Sequence, residues 1–355
     1  MAPVTFCRAD RRPVQPYFIS PWQNEGVRLS VPCLVPLRGD FFCVPFGANR
    51  APYRGENHPP HGETAGSAWS LEDYRANQHT RSLRLRLQMH VRPGSITREF
   101  SVVQGHNVVY SCTEIEGFDG DAPFAHHAIL RMPARERGLL ISTSPFAFGM
   151  TYPGMFSNPA AREYQLLAPG ATFKRLTRVP SLYRTKRYVD YSAFPRPAGF
   201  TDLVELFEKP SLHPSWVTAV NTDERWLWFA LKNPSMMPGR VLWIENGGRH
   251  APPWNGRVRC LGIEDGCMFF DRGIADSCRP NPISRRGIAT CTRFGGKKPV
   301  VVPYIQGAAN IPKGFGRVTD ADFEPSEVTF RSATGRVRLP VCHEFLFNPS
   351  RVSAL

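Results

Sequence analysis

Short runs of alternating apolar and polar residues dominate the chain. From Leu83 to Val91 every second residue is apolar, and arginine, glutamine and histidine occupy the positions between them. Alternation with a period of two residues is typical of a strand that buries one face and exposes the other. Runs rich in apolar and β-branched residues predict further strands at 225–231, 240–245, 258–263, 299–305, 327–331 and 336–342.

Glycine and proline interrupt these runs at short intervals. The chain has 29 glycines and 34 prolines, which leave little room for long helices and favour short strands joined by turns. Residues 99–103 and 108–112 flank Gln104–Asn107, where glycine and asparagine tolerate the positive φ of a tight turn. We therefore predict a β-hairpin at this position.

One segment has a helical pattern instead. Thr201–Glu208 places three apolar residues on one helical face behind a threonine suited to an N-cap, so we predict a short helix there. No internal repeat, heptad run or sharp change of composition divides the chain. We predict a single all-β domain over residues 1–355, a large antiparallel β-sandwich with few short helices and a core at about 30–345.

Composition narrows the class of protein. Apolar residues make up 42% and charged residues 21%, which is typical of a globular chain and not of a disordered one. Residues 1–17 contain no signal peptide pattern, and no stretch is apolar enough for a membrane helix. The nine cysteines form no Cys-x-x-Cys pair and predict scattered thiols, not disulfides or structural zinc. We expect a cytoplasmic protein with no membrane association.

The net charge of +14 opens the question of a polyanionic partner. The stretch from Lys174 to Tyr188 contains six lysines and arginines together with two tyrosines. Such a stretch is either a solvated surface or a phosphate-binding patch, and charge alone gives only non-specific attraction. We favour the solvated surface and do not expect nucleic acid as a partner.

Three segments concentrate polar residues that a sandwich core would exclude. The first contains Asn49, Arg50 and His61 beside several glycines, which let a ligand approach the backbone closely. His58 and His61 could instead bind a metal ion, but no third ligand has a suitable spacing, so we predict no metal. An ordinary polar loop is the alternative.

The second segment begins a predicted strand with His126 and His127. Adjacent side chains of a strand face opposite ways, so at most one of these two histidines can point into a given cleft. An imidazole with a pKa of about 6.5 can donate or accept a proton near neutral pH. The alternative is a pair of histidines satisfied by local hydrogen bonds.

The third segment runs from Trp243 to Arg257 and is followed by Glu264. Tryptophan and arginine beside paired glycines suit a surface that stacks on a sugar ring and hydrogen-bonds its hydroxyls. Arg249 and Trp254 are the candidates for such contacts. Glu264 follows a short apolar stretch, so it should be partly buried and must be paired, hydrogen-bonded or functional. An ion pair with Arg249 or Arg257 is the structural alternative.

In chain order, the three segments resemble the galactose mutarotase and aldose 1-epimerase superfamily. The family has a Pro-x-x-x-Asn-Arg element and a later His-Gly segment ending in tryptophan, matched here by Pro45, Asn49, Arg50, His61, Gly62 and Trp69. The resemblance covers about residues 40–270. It departs from the family pattern at Asp265, where proline is usual, and in lacking the aromatic residues that usually follow the family's first catalytic histidine.

The resemblance implies a pair of proton-transfer residues. His127 holds the place of the family's general acid, and Glu264 holds the place of its general base. Our five candidates for contacts with the sugar are Asn49, Arg50, His61, Arg249 and Trp254.

The activity implied is the interconversion of sugar anomers by acid–base ring opening. The partner would be a monosaccharide or a sugar phosphate, and the chemistry requires no cofactor. A carbohydrate-binding or regulatory β-sandwich without catalysis is the alternative, because a fold does not determine a function.

Overall fold

Strands make up most of the regular structure of the computed structural model, which describes residues 4–7, 13–296 and 298–353. Part of the N-terminal segment in which no signal peptide was predicted lies outside these residues. The strands are β1 (Phe6–Cys7), β2 (Pro13–Val14), β3 (Asp40–Cys43), β4 (Ser70–Ala76), β5 (Thr80–Met89), β6 (Gly94–Val103), β7 (Val108–Glu116), β8 (Gly120–Ala122), β9 (Phe124–Arg131), β10 (Leu139–Thr143), β11 (Phe148–Thr151), β12 (Thr172–Phe173), β13 (Val179–Pro180), β14 (Tyr188–Val189), β15 (Ala193–Phe194), β16 (Phe200–Phe207), β17 (Ser215–Asn221), β18 (Trp226–Lys232), β19 (Gly239–Asn246), β20 (Arg259–Cys267), β21 (Thr292–Phe294), β22 (Val300–Asn310), β23 (Val318–Glu324), β24 (Glu327–Ser332) and β25 (Gly335–Pro340).

Helices are short in the part of the chain just defined. The two α-helices are α1 (Ile274–Cys278) and α2 (Ser350–Ser353). The 3₁₀ turns are Pro21–Asn24, Pro32–Leu34, Glu63–Ala65, Pro159–Ala161, Leu176–Arg178, Ser284–Arg286 and His343–Leu346. None of the helices in these described ranges is long and apolar enough to cross a membrane.

Two antiparallel sheets form the body of the protein. The larger has nine strands in the order β15-β10-β17-β18-β22-β7-β6-β5-β4, and the smaller has seven in the order β12-β11-β16-β19-β20-β9-β3. The predicted hairpin is confirmed, because β6 pairs with β7 across Gln104–Asn107. The predicted fold class, a large antiparallel β-sandwich with few short helices, is confirmed as well. The prediction of a single domain stays a prediction.

Three hydrophobic clusters separate the layers. The first lies between the two large sheets and includes Trp228, Phe42 and Ile263. The second covers the opposite face of the seven-stranded sheet, where Phe41 and Trp243 pack against loops; we call this the outer face of that sheet. The third joins the nine-stranded sheet to the small β23-β24-β25 sheet. Both faces of each large sheet are therefore partly covered, which requires apolar side chains on both sides.

The prediction of a helix at Thr201–Glu208 is wrong. These residues lie in and directly after β16, which pairs with β11 on one side and β19 on the other. Leu203 belongs to the cluster on the outer face and Val204 to the cluster between the sheets, so both faces of this strand are buried. A strand buried on both faces loses its apolar–polar alternation, and its pattern can then resemble that of a helix.

The basic stretch from Lys174 to Tyr188 lies at the surface. It contains the short β13–β14 pair, and most of its lysine and arginine side chains are exposed. The guanidinium of Arg178 lies over the ring of Tyr188 at 4.5 Å from its centre. Exposure fits both a solvated surface and a phosphate-binding patch, so our preference for the solvated surface stays a prediction.

Candidate active site

Adjacent strands bring the two predicted proton-transfer residues together. Glu264 on β20 is directly opposite His127 on β9, although the two residues are distant in the chain. Both side chains point to the outer face of the seven-stranded sheet, and the Nε2 atom of His127 lies 3.3 Å from the Oε1 atom of Glu264. Their side chains are 5% and 2% exposed, respectively. The imidazole and the carboxyl group are therefore in direct contact in a largely desolvated place.

The next residues along these strands, His126 on β9 and Asp265 on β20, point into the space between the two sheets. The Nδ1 atom of His126 lies 3.1 Å from Asp40 Oδ2, and its ring stacks on Tyr304 with 4.1 Å between ring centres. Asp265 bonds Arg240 and Lys232 in the space between the sheets. Alternation along the two strands thus separates a pair of residues facing the outer side from a polar cluster inside the sandwich.

A cavity of about 320 Å³ contains the His127–Glu264 pair. Its other polar side chains are Arg50, His61, Arg249 and Asp271. Its apolar and aromatic walls include Val31, Leu34, Leu37, Phe41, Phe156, Leu203, Trp243 and Trp254. A cleft of this size with apolar walls and a few converging polar groups is the usual form of a small-molecule site.

Aromatic rings fix the imidazole of His127. Its ring stacks on Phe41 with 4.5 Å between ring centres, while Trp243 and His61 approach edge-on at 5.9 and 5.2 Å. Burial lowers the pKa of His127 well below its ordinary value, and the nearby His61 adds to the effect. The imidazole is consequently held in one place and is neutral in the empty cavity.

Glu264 makes no ion pair with either arginine considered from the sequence. Arg257 pairs with Glu25 at 2.6 Å, and the nearest carboxylate oxygen to Arg249 is Glu245 Oε2 at 3.6 Å. Burial raises the pKa of Glu264 well above its ordinary value, and the neighbouring carboxyl groups of Asp271 and Glu205 add to this. A buried carboxyl group without a cationic partner is costly unless it has a function.

Gly262 makes room for this arrangement. A Cβ atom at this position would lie 2.8 Å from Glu264 Oε1 and 3.0 Å from the ring of Trp243. We expect Gly262→Ala to push the carboxyl group away from His127 and to lower kcat at least tenfold for a reaction that uses both groups, since small misplacements of reacting groups are costly. The measurement is steady-state kinetics of the folded variant, and unchanged kinetics would contradict this view of Gly262.

Four of the five predicted sugar contacts line the cavity, namely Arg50, His61, Arg249 and Trp254. His61 has a φ of +60°, and its amide donates a hydrogen bond to Gly47 O at 2.7 Å. Burial lowers the pKa of His61 to about 4, so the ring is neutral at pH 7. Its buried Nδ1 atom has no hydrogen-bond partner among the described residues.

Asn49 has a different place from the one predicted. Its amide nitrogen donates hydrogen bonds to Pro45 O at 3.1 Å and Pro59 O at 3.0 Å, and its amide oxygen accepts one from Ile274 N at 3.0 Å. Its side chain is absent from the cavity wall. Because the backbone already satisfies its amide group, we revise its role to holding together the loops that carry Arg50 and His61.

The sequence analysis missed several cavity residues. Asp271 lies after the end of β20 and has a buried Oδ1 atom without a hydrogen-bond partner in the described part of the chain. Burial raises the pKa of Asp271. The apolar wall formed by Val31, Leu34 and Leu37 was also missed. Its residues follow no strand or helix pattern, so only the folded loop shows that they face a ligand site.

The alternative of a metal site has no support from the geometry. His58 Nε2 bonds Glu56 Oε2 at 2.9 Å, whereas His61 lies in the cavity wall. Over residues 4–7, 13–296 and 298–353, no group of three histidine, cysteine or acidic side chains is placed to hold a metal ion.

A larger cavity of about 410 Å³ lies elsewhere, against β5 and β6. Its walls are mainly apolar. Of its three charged side chains, Arg98 and Asp40 pair at 3.4 Å, and Arg81 donates a hydrogen bond to the backbone oxygen of Thr80. It lacks a pair of groups free to exchange protons with a ligand. We therefore place the candidate active site in the smaller cavity.

Comparison with known proteins identifies structures of similar fold. No protein-family profile matches the sequence, and no curated protein matches it either. Among solved structures, a candidate aldose 1-epimerase from Klebsiella pneumoniae has 13% identity and a TM-score of 0.55, covering 83% of this chain and 68% of its own. A galactose mutarotase-like protein from Clostridium acetobutylicum has 10% identity and a TM-score of 0.52, covering 81% and 84%.

A third solved structure agrees with these two. The aldose epimerase homologue from C. elegans has 8% identity and a TM-score of 0.51, covering 88% of this chain and 93% of its own. At such low identities the likeness concerns the fold and does not extend to activity. The chain has the galactose mutarotase-like fold, as its resemblance to the galactose mutarotase and aldose 1-epimerase superfamily implied.

Proposed function

We propose that the protein is an aldose 1-epimerase-like enzyme, which interconverts the anomers of a sugar. The observation that carries this proposal is the contact between His127 and Glu264 in a cavity of about 320 Å³. An acid and a base placed side by side suit the anomeric centre, because its hydroxyl and the ring oxygen are bonded to the same carbon. Arg50 and His61 would bind sugar hydroxyls, and Trp254 would provide an aromatic surface for the ring.

The proposed reaction moves two protons. The carboxylate of Glu264 takes the proton from the anomeric hydroxyl, while the imidazolium of His127 protonates the ring oxygen. The bond between the anomeric carbon and the ring oxygen then breaks, and its electron pair remains on that oxygen. Rotation of the aldehyde and the reverse proton transfers close the ring with the opposite configuration, so the protein is unchanged after each cycle.

Burial of the pair favours its neutral form. The raised pKa of Glu264 and the lowered pKa of His127 make a carboxylic acid beside a neutral imidazole the more stable form in the empty cavity. The reactive carboxylate–imidazolium form requires transfer of the Glu264 proton to His127 across their 3.3 Å contact, which costs free energy. Proton transfer to the sugar returns the pair to its neutral form, so ring opening regains this cost.

A broad pH profile follows, because the pair must carry one proton. A second proton binds only well below the ordinary histidine pKa of 6.5, since burial lowers the pKa of His127. The single proton is lost only well above the ordinary glutamate pKa of 4.5, since burial raises the pKa of Glu264. We expect kcat/KM to fall on the acid side only well below pH 6.5. An acid limb centred on pH 6.5 would contradict this prediction.

The test of the proposed function is polarimetry with a panel of pure α-anomers of common aldoses, sugar acids and sugar phosphates. We expect the purified protein to accelerate the approach to anomeric equilibrium for at least one member of the panel. A non-catalytic carbohydrate-binding protein would bind a sugar without accelerating its interconversion. That result would overturn the enzyme proposal and favour the alternative.

We also propose a cytoplasmic location. All nine cysteines are free thiols, including the neighbouring Cys278 and Cys291. Free thiols are typical of a reducing compartment. Fractionation of the native cells would test this location, and recovery of the protein outside the cytoplasm would contradict it.

A further inference from the structure

Three aromatic rings hold the guanidinium group of Arg249 at the cavity wall. Its central carbon lies 4.9 Å from the ring centre of Trp254, 5.5 Å from that of Trp243 and 5.6 Å from that of Phe156. Trp254 is itself fixed by edge-on contacts with Trp243 and Trp22 at 5.9 and 5.2 Å. The flat side chain of Arg249 is therefore restricted before any ligand enters.

The N–H groups of this guanidinium have no acceptor within hydrogen-bond distance among the described residues. Glu245 Oε2 is the nearest carboxylate oxygen, at 3.6 Å. Glu245 Oε1 instead accepts hydrogen bonds from the backbone amides of Gly248 at 2.8 Å and Arg249 at 3.1 Å, which fixes the turn that carries Arg249. Arg92, by contrast, is buried and bonds both carboxylate oxygens of Glu56.

A guanidinium that is fixed in place without acceptors is suited to a ligand. Its planar fork of N–H groups matches the two oxygen atoms of a carboxylate, which can accept two parallel hydrogen bonds. The aromatic contacts restrict rotation of the group, so less entropy is lost when these hydrogen bonds form. Arg50, a second cation in the same cavity wall, also has no acceptor among the described residues and adds to the positive potential.

The cavity suits a single negative charge. Arg50 and Arg249 face the carboxyl groups of Glu264 and Asp271, with Glu245 behind Arg249. Burial raises the pKa of each of these three carboxyl groups, which favours their neutral forms, so the two arginines give the cavity a positive potential. This potential attracts a monoanionic carboxylate, which loses less hydration on entering a desolvated cavity than a dianionic phosphate does.

We propose that the substrate is an aldose that carries a carboxylate, such as a hexuronate, and that Arg249 binds this carboxylate. This inference rests on the proposed function, because it names the class of sugar that the same cavity takes. Arg249 is here a specificity-determining residue and not a participant in proton transfer. His127 and Glu264 act on the anomeric carbon, while Arg249 recognises the acidic substituent of the same molecule.

The experiment measures binding and interconversion separately for three probes: glucuronate, glucose and glucose 6-phosphate. Titration calorimetry gives the dissociation constants, and exchange between anomeric NMR signals gives the rates. We expect the wild-type protein to bind glucuronate at least tenfold more tightly than either of the other two. Equal affinity for glucose, or tighter binding of glucose 6-phosphate, would overturn the inference.

Variants of Arg249 make the test specific. Arg249→Met should remove the preference for glucuronate, so that the dissociation constants of glucuronate and glucose for this variant differ less than threefold. Arg249→Lys keeps the charge but loses the planar fork, so it should retain only part of the preference. Arg257→Met is the matched control, because Arg257 pairs with Glu25 outside the cavity wall. Thermal melting of each variant establishes that it is folded, and a preference for glucuronate that survives in Arg249→Met would overturn the assignment.

The outcomes also separate this inference from the proposed function. Interconversion of glucose without any preference for glucuronate removes the inference and leaves the proposed function intact. Tight binding of glucuronate without interconversion of any sugar would support Arg249 as a carboxylate-binding residue and contradict the proposed enzymatic function. Failure of all three probes to bind overturns the inference, whereas the proposed function is then decided by polarimetry on the full panel.

Discussion

Glu264→Gln should reduce anomer interconversion by about 10²- to 10⁴-fold, the usual contribution of a general acid or base. The amide has nearly the shape of the carboxyl group, but it cannot take the proton from the anomeric hydroxyl. Sugar binding should change less than threefold, because Arg50, His61 and Trp254 remain in the cavity wall. Polarimetry measures the rate, and titration calorimetry measures the binding.

The control for this variant is Glu25→Gln, which neutralises a glutamate that lies outside the cavity wall and pairs with Arg257. It should leave both rate and binding unchanged. His127→Gln should reproduce the loss of rate seen in Glu264→Gln, and the double variant should be little worse than either single one, because the two residues act as a unit. A Glu264→Gln protein that keeps more than a tenth of the wild-type rate would remove Glu264 from the reaction.

Asp265→Asn should lower the free energy of unfolding without a direct effect on catalysis, whereas Glu264→Gln should lower the rate. The Oδ1 atom of Asp265 accepts hydrogen bonds from Arg240 Nε at 2.8 Å and Lys232 Nζ at 3.0 Å, and its Oδ2 atom accepts one from Tyr304 at 2.8 Å. All four side chains are buried, and Glu208 is the other acid of the cluster. Loss of the Asp265 charge leaves an uncompensated buried cation, which costs about 3–5 kcal/mol of unfolding free energy.

Urea denaturation at pH 7 measures this loss. Burial alone would raise the pKa of Asp265, but Arg240 and Lys232 lower it below its ordinary value. The stability contributed by this carboxylate is therefore present above its unfolded pKa and is lost as the pH falls through its folded pKa. Glu264→Gln is the matched comparison, because the pKa of Glu264 is raised and its neutralisation should not lower stability. Equal stability of Asp265→Asn and the wild-type protein would contradict the role of the buried cluster.

The strands of the sandwich could be predicted because their alternation is strong. The pattern from Leu83 to Val91 corresponds to β5, and the turn at Gln104–Asn107 joins β6 to β7. The same rule of alternation predicted that His126 and His127 face opposite ways, as they do. These features depend on local geometry, so a few neighbouring residues contain all the information that they require.

The errors arose where long-range packing overrides local pattern. The helix predicted at Thr201–Glu208 is a strand, because neighbours on both sides and both faces cover β16. Asn49 was predicted to contact the sugar, but its amide oxygen accepts a hydrogen bond from the backbone N–H of Ile274, which is distant in sequence. Asp271 lies in a loop without any pattern, and only the pairing of β20 with β9 brings that loop beside His127.

Anomer exchange measured by NMR at equilibrium tests the central claim most directly, because one sample reports both binding and proton-transfer catalysis at the His127–Glu264 pair. A mixture of α and β aldoses is observed with wild-type protein, with Glu264→Gln and without protein. We predict magnetisation transfer between the anomeric signals with wild-type protein alone, and line broadening from binding with both proteins. Binding without transfer in the wild-type sample, or equal transfer in both protein samples, would contradict this claim.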